Sequence, residues 1–159
     1  MSEPVIRPGT TDDAPELARL RWQLYTEYEP DIDEPFDVYR DRFVAFATEI
    51  LARPDWRVWV AEEDGGLVAT MWVQSVPRVP APGRREPSPM AYLTNCYVEP
   101  PLRSHGLGSR MLAGLIDDCR SEGFELMFTF PADPAYGFYE RAGFERRADP
   151  LVHALGGEP

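Results

Sequence analysis

One segment carries the residue types best suited to chemistry: Val98-Glu99-Pro100-Pro101-Leu102-Arg103-Ser104-His105-Gly106-Leu107-Gly108-Ser109. Its glycines fall where a strand-like run, Ala91 to Val98, gives way to a helical one, Gly106 to Glu122. Residues without a Cβ let the backbone approach an anion. The unpaired N–H groups of a first helical turn point at that anion, and the helix dipole favours negative charge by about 0.3–1 kcal/mol. Arg103 adds a guanidinium fork. The segment thus reads as an anion-binding turn that could hold a pyrophosphate, with a plain tight turn as the competing reading.

Two familiar phosphate loops do not fit. A Walker loop needs Gly-Lys-Ser/Thr, and this chain has no lysine: all 16 basic residues are arginine. A dinucleotide fingerprint needs a third glycine at position 111, where Met111 stands, and belongs after the first strand of a parallel unit. The missing lysine also excludes Schiff-base catalysis. With 27 acidic residues the formal charge is -11, which argues against a nucleic-acid partner. His105 and His153 lie far apart and only Cys96 and Cys119 are present, so neither a metal site nor a disulfide framework is expected. No apolar run has the length of a signal peptide or a membrane span, so a cytoplasmic protein without membrane partners is expected.

The elements that would position the loop follow from periodicity, and 159 residues suffice for one domain spanning 1–159. A short strand from Glu3 to Arg7 leads to Thr10-Thr11-Asp12-Asp13, a helix start with Pro15 in the first turn. Leu17, Leu20, Trp22, Leu24 and Tyr25 form one stripe. Phe36, Tyr39, Phe43, Phe46, Ile50 and Leu51 form a second helix ending before Pro54. Val58, Val60 and the run Leu67 to Val73, separated by Glu63-Asp64-Gly65-Gly66, predict a hairpin. Pro77 to Pro89 is a stiff proline-rich loop. After the loop-bearing helix come a strand over Phe124 to Phe130, a short helix over Pro134 to Arg141, and room from Phe144 onward for one or two final strands. The alternation predicts an α/β sheet, mostly antiparallel, with a parallel pair around the central helix.

The pattern Val98-x-Pro100-x-x-Arg103-x-x-Gly106-x-Gly108, followed by Tyr139-Glu140-Arg141-Ala142-Gly143-Phe144, resembles the GNAT superfamily of acetyl-CoA-dependent N-acetyltransferases. The order of elements agrees from about Val5 to Leu155. The resemblance implies a GNAT-type mixed, mostly antiparallel sheet of six to seven strands with about four helices on its faces. It further implies that Val98 offers backbone hydrogen bonds to the pantetheine arm and thioester where two strands splay, that Arg103 to Ser109 wrap the pyrophosphate of acetyl-CoA, and that Tyr139 protonates the leaving thiolate. Family members often dimerise, so a homodimer is admitted. Many relatives carry an asparagine seven residues before that tyrosine; here Ala132 takes its place, which removes one side-chain contact to the pantetheine arm.

Transfer to an amine needs a proton acceptor, because an alkylamine of pKa ~10.4 is only about one part in a few thousand neutral at pH 7. Period-2 geometry puts Asn95, Tyr97 and Glu99 on one strand face. Glu99 is the candidate base, directly or through a water, and an exposed strand-end carboxylate is the competing reading. Asn95 orients that water or hydrogen-bonds within a cleft. Glu27, Glu29, Asp31, Asp33, Glu34, Asp37 and Asp41 crowd the connection between the first two helices. They point to a cationic acceptor, a small or peptidic primary amine, or to a solvated surface. The alternative function is a catalytically inactive acyl-CoA-binding or sensing domain, toward which Ala132 leans.

Overall fold

The structure is a computed structural model describing residues 3–84, 88–147, 152, 153 and 155. Four helices flank one sheet, whose five strands lie in chain order β1 to β5. The strands are β1 (Val5–Pro8), β2 (Trp56–Glu63), β3 (Gly66–Val76), β4 (Met90–Val98) and β5 (Leu126–Phe128). The helices are α1 (Ala14–Tyr28), α2 (Phe36–Leu51), α3 (Leu107–Ser121) and α4 (Tyr136–Arg141). Neighbours from β1 to β4 pair antiparallel, and β4 pairs with β5 in parallel across α3.

The described residues hold five strands, which corrects the expected six to seven. Phe144 to Arg147 enters no ladder, and most of the stretch assigned to final strands lies outside the described residues. β5 is also shorter than expected, because Thr129 and Phe130 turn away from β4 instead of extending the pairing.

Local chemistry explains where the elements begin and turn. The Thr10 backbone N–H donates to Asp13 Oδ2 at 2.7 Å, closing the turn ahead of α1. Arg7 bonds Asp13 at 2.8 Å and Glu62 at 2.9 Å, fastening that turn to β1 and β2. Both carboxylates accept from one guanidinium, and this hydrogen bonding holds the Asp13 carboxyl below its usual pKa. The β2–β3 hairpin turns through Asp64 and Gly65, both left-handed at φ 51° and 83°, the pair of conformations a two-residue hairpin turn of type I′ requires.

Two apolar layers cover the sheet. Leu17, Leu20, Ala47 and Ile50 of α1 and α2 pack with Val58, Val60, Trp72 and Tyr97 on one face. Leu107, Met111, Leu112, Leu115 and Cys119 of α3 pack with Ala61, Met71, Val73, Ala91 and Leu93 on the other. Phe46, expected on the buried stripe of α2, is instead 48% exposed. Truncating the fully buried Leu115 to alanine should lower stability by about 2–5 kcal/mol in urea unfolding. A loss below about 1 kcal/mol would remove α3 from the main core.

Candidate active site

The site grows from a fork between two strands. Parallel pairing joins only Met90–Tyr92 to Leu126–Phe128, while β4 runs on along β3 to Val98. The Glu99 N–H donates to Val68 O at 2.9 Å, so the alternation of an antiparallel strand turns the N–H of Val98 away from β3 and into the opening. Val98 O faces the same side, where Arg103 Nε donates to it at 2.8 Å.

A bulge re-aims the end of β4. Thr70 pairs with Tyr97 and Trp72 with Thr94, which leaves one extra residue on β4, and Asn95 takes a left-handed φ of 49°. Ala91 and Leu93 face α3 ahead of the bulge; Cys96 and Val98 face α3 after it. Asn95, Tyr97 and Glu99 share the face toward α1, as the alternation anticipates.

The glycine loop is open. Arg103 to Gly106 and Ser109 are exposed, and Ser104 and Gly106 turn the chain through φ 65° and 83° into α3. Arg110 N–H is bonded to Gly106 O at 3.0 Å, so the N–H groups of Leu107, Gly108 and Ser109 precede the first intrahelical bond and are free to meet an anion. Gly108 lies where α3, β4 and α4 meet: a Cβ there would touch Val98 and Phe138 at 3.4 Å, an ordinary packing distance. These features fit a diphosphate held by backbone donors. Arg103 does not lie over the loop: its Nη2 bonds Glu27 of α1 at 2.6 Å and its guanidinium sits 5.4 Å from the Tyr97 ring centroid. The Tyr97 hydroxyl also bonds Glu27; burial first and that carboxylate second push its pKa up to about 12.

Tyr139 reaches the fork from α4. It is 7% exposed, flanked by the rings of Phe138 and Phe144, and its hydroxyl hydrogen-bonds with the Cys96 thiol and the Thr129 side chain. Burial, then Cys96, raises its pKa well above that of an ordinary tyrosine. Burial likewise pushes the Cys96 thiol up to about 12, so it stays protonated. Ala132 is exposed ahead of the turn Asp133–Ala135, and its methyl can donate no hydrogen bond.

Glu99 is not a free strand-end carboxylate. Its Oε1 accepts from Arg19 Nη1 at 2.7 Å, and the same arginine bonds Glu16 and Leu67 O. Asn95 Oδ1 accepts from Arg21 Nη1 at 3.3 Å. Within the acidic run Glu27 bonds Arg103, Glu34 bonds Arg42 and Asp41 bonds Arg40, while no ion pair joins Glu29, Asp31, Asp33 or Asp37 to a described residue. Sequence reasoning thus missed Arg19, Arg21, Cys96 and Thr129 as members of the site, and it placed Glu27 in the acidic run without its partner Arg103. Among these only Cys96 carried a local signal, as a residue adjoining Asn95 on the loop-bearing strand. Among the described residues, no group of His, Cys, Asp and Glu could hold a metal ion, and no helix is long and apolar enough to cross a membrane.

Comparison with known proteins bears directly on this geometry. The sequence profile of the acetyltransferase (GNAT) family matches residues 14–144. An uncharacterized N-acetyltransferase of Escherichia coli K12, YjgM, is 26% identical over 167 residues, covering 96% of this chain and 86% of the relative. A predicted acetyltransferase from Clostridium acetobutylicum, solved with acetyl-CoA, shares the fold at a TM-score of 0.80 and 21% identity, over 96% of this chain and 97% of that one. Glucosamine-6-phosphate N-acetyltransferase from Arabidopsis thaliana does so at 0.74 and 20% identity, over 97% and 99%. With its strand fork, open glycine loop and tyrosine across the gap, the chain belongs to the acetyltransferase (GNAT) family, the acetyl-CoA-dependent N-acetyltransferases.

Proposed function

We propose that the protein moves the acetyl group of acetyl-CoA to a primary amine, with a cationic small molecule or a peptidic amine as acceptor. The observation that carries this reading is the fork itself: a backbone N–H at Val98 on one side and a protonated hydroxyl at Tyr139 on the other. The Val98 N–H is fixed before the reaction begins, so it can donate to the developing oxyanion without reorganisation. The loop from Arg103 to Ser109 binds the diphosphate through backbone donors, and those donors compensate for Ala132. Arg103 contributes to that grip only if it leaves Glu27.

Tyr139 supports departure of the thiolate. Because burial keeps its hydroxyl protonated, it is a poor proton source by itself and works first as a hydrogen-bond donor to sulfur as negative charge grows there. The proton reaches sulfur as that charge peaks. Glu99 takes a proton from the acceptor's ammonium through a water, using the carboxylate oxygen that Arg19 does not hold, so that the neutral amine attacks the thioester carbonyl; Asn95 orients that water. The acidic run concentrates cations at the end of α1.

Thiol release from acetyl-CoA, measured over a panel of amines alongside a thermal shift with CoA, tests the proposal. Turnover of at least one amine is expected, whereas a CoA-induced shift without turnover on any amine would overturn it. Tyr139→Phe should lower kcat by on the order of 100-fold with little change in KM for acetyl-CoA. The active form of Tyr139 is the protonated one and its pKa is raised, so kcat should show no alkaline fall below pH 10 that Tyr139→Phe abolishes. Replacing Asp31, Asp33 and Asp37 by their amides should raise acceptor KM and flatten its salt dependence; unchanged values would make the run a solvated surface.

A further inference from the structure

Among the described residues, one half-buried arginine, on the acceptor side, has no ion pair. Of the half-buried arginines, Arg7 is held by Asp13 and Glu62, Arg19 by Glu16 and Glu99, Arg40 by Asp41, and Arg57 by Asp118 and Glu122. Arg21 is half-buried too, yet among the described residues no carboxylate lies within ion-pair distance of it. It bonds the Asn95 amide oxygen at 3.3 Å and the Tyr39 hydroxyl and lies 5.9 Å from the Tyr25 ring centroid, with a second cation, Arg42, 5.7 Å from the Tyr39 ring centroid. Glu34, the acid that acts electrostatically on Tyr39, is already held by Arg42 at 2.9 Å. A guanidinium that gives up part of its hydration without a counter-charge is unfavourable, and in a chain with 27 acidic residues a partner would be easy to supply. Its unused donors form a fork matched to a carboxylate.

Position links this charge to the reaction. Arg21 bonds the bulge residue of β4, and the next residue, Cys96, hydrogen-bonds with Tyr139. Tyr28 lies seven residues on from Arg21, on the same face of α1 and about 10 Å along its axis, within electrostatic reach of Tyr139. A molecule lying along that face meets the reacting end near Tyr139 and the cation near Asn95.

We propose that Arg21, with Asn95 and Tyr39, binds a carboxylate of the acceptor, so that the substrate is a zwitterion whose amine and carboxylate are several bonds apart, such as a short peptide. This rests on the acetyl-transfer reading above. The acidic run disfavours a purely anionic ligand, whereas a zwitterion presents its ammonium to that field and its carboxylate to Arg21. The rise of about 10 Å from Arg21 to Tyr28 exceeds the reach of an α-amino acid, whose ammonium and carboxylate sit on one carbon.

Steady-state thiol release with acetyl-CoA, comparing dipeptides with their C-terminal amides, tests the assignment. In the unaltered protein the free acids should have KM at least tenfold below the amides. Arg21→Gln should raise the acid KM to the amide level, Arg21→Lys should restore part of the gap, and a CoA-induced thermal shift reports that each variant is folded. Equal KM for acids and amides in the unaltered protein, or a gap that survives in Arg21→Gln, would overturn the role of Arg21 while leaving acetyl transfer standing. Failure to turn over any amine would overturn acetyl transfer, and this inference with it.

Discussion

The structure turns on a parallel ladder that stops after three residues. Backbone polar groups buried without partners are costly, so a strand that abandons its neighbour must hand its donors and acceptors to something else. β4 does so in parts: Arg103 takes the Val98 carbonyl, and the Val98 N–H is left facing the opening. The stacked rings of Tyr92 and Phe128, 5.2 Å apart, hold the fork's closed end. The Asn95 bulge and the Tyr139–Cys96 contact define its open end. The fork is thus a place where the sheet itself withholds a partner that a ligand can supply.

Electrostatics organise the rim of the fork locally, against the overall charge of -11. Arginine–carboxylate pairs fix one element to another: Arg7 joins β1 to β2, Arg19 joins α1 to the residue that follows β4, and Arg57 joins β2 to α3. Most of these pairs are partly exposed and individually worth little stability. Their role is positional, since each fixes the direction in which a strand end or helix end points.

Much of this was legible in the sequence, because the signals were local. The Asp64-Gly65 hairpin, the stripe of α3 and the glycines at its start each depend on neighbours a few residues away, and each appears where periodicity and turn chemistry put it. Tyr139 and the loop at Arg103 were singled out through the resemblance to the family, and their roles are part of the proposed function. What escaped depends on long-range partners. Nothing near Glu27 announces that it will capture Arg103, 76 residues on, and nothing near Glu99 announces Arg19, 80 residues back. The short β5 escaped for a related reason: Phe124 to Phe130 is apolar enough for a full strand, but its length is set by where β4 diverges. Nothing near Arg21 in the sequence announces its contacts with Tyr39 of α2 and Asn95 of the β4 bulge.

The Arg103–Glu27 bridge ties the donor side of the molecule to the acceptor side. One end of it opens the diphosphate loop; the other belongs to the last turn of α1, where the acidic connection begins. In the proposed reaction, a phosphate oxygen that drew Arg103 toward itself would free the Glu27 carboxylate at the end of α1. Linkage then makes the effect mutual: a cation settling on the freed Glu27 favours Arg103 on the phosphate by the same factor. Because that coupling is equal in both directions, the bridge would favour the doubly occupied state whichever ligand arrives first.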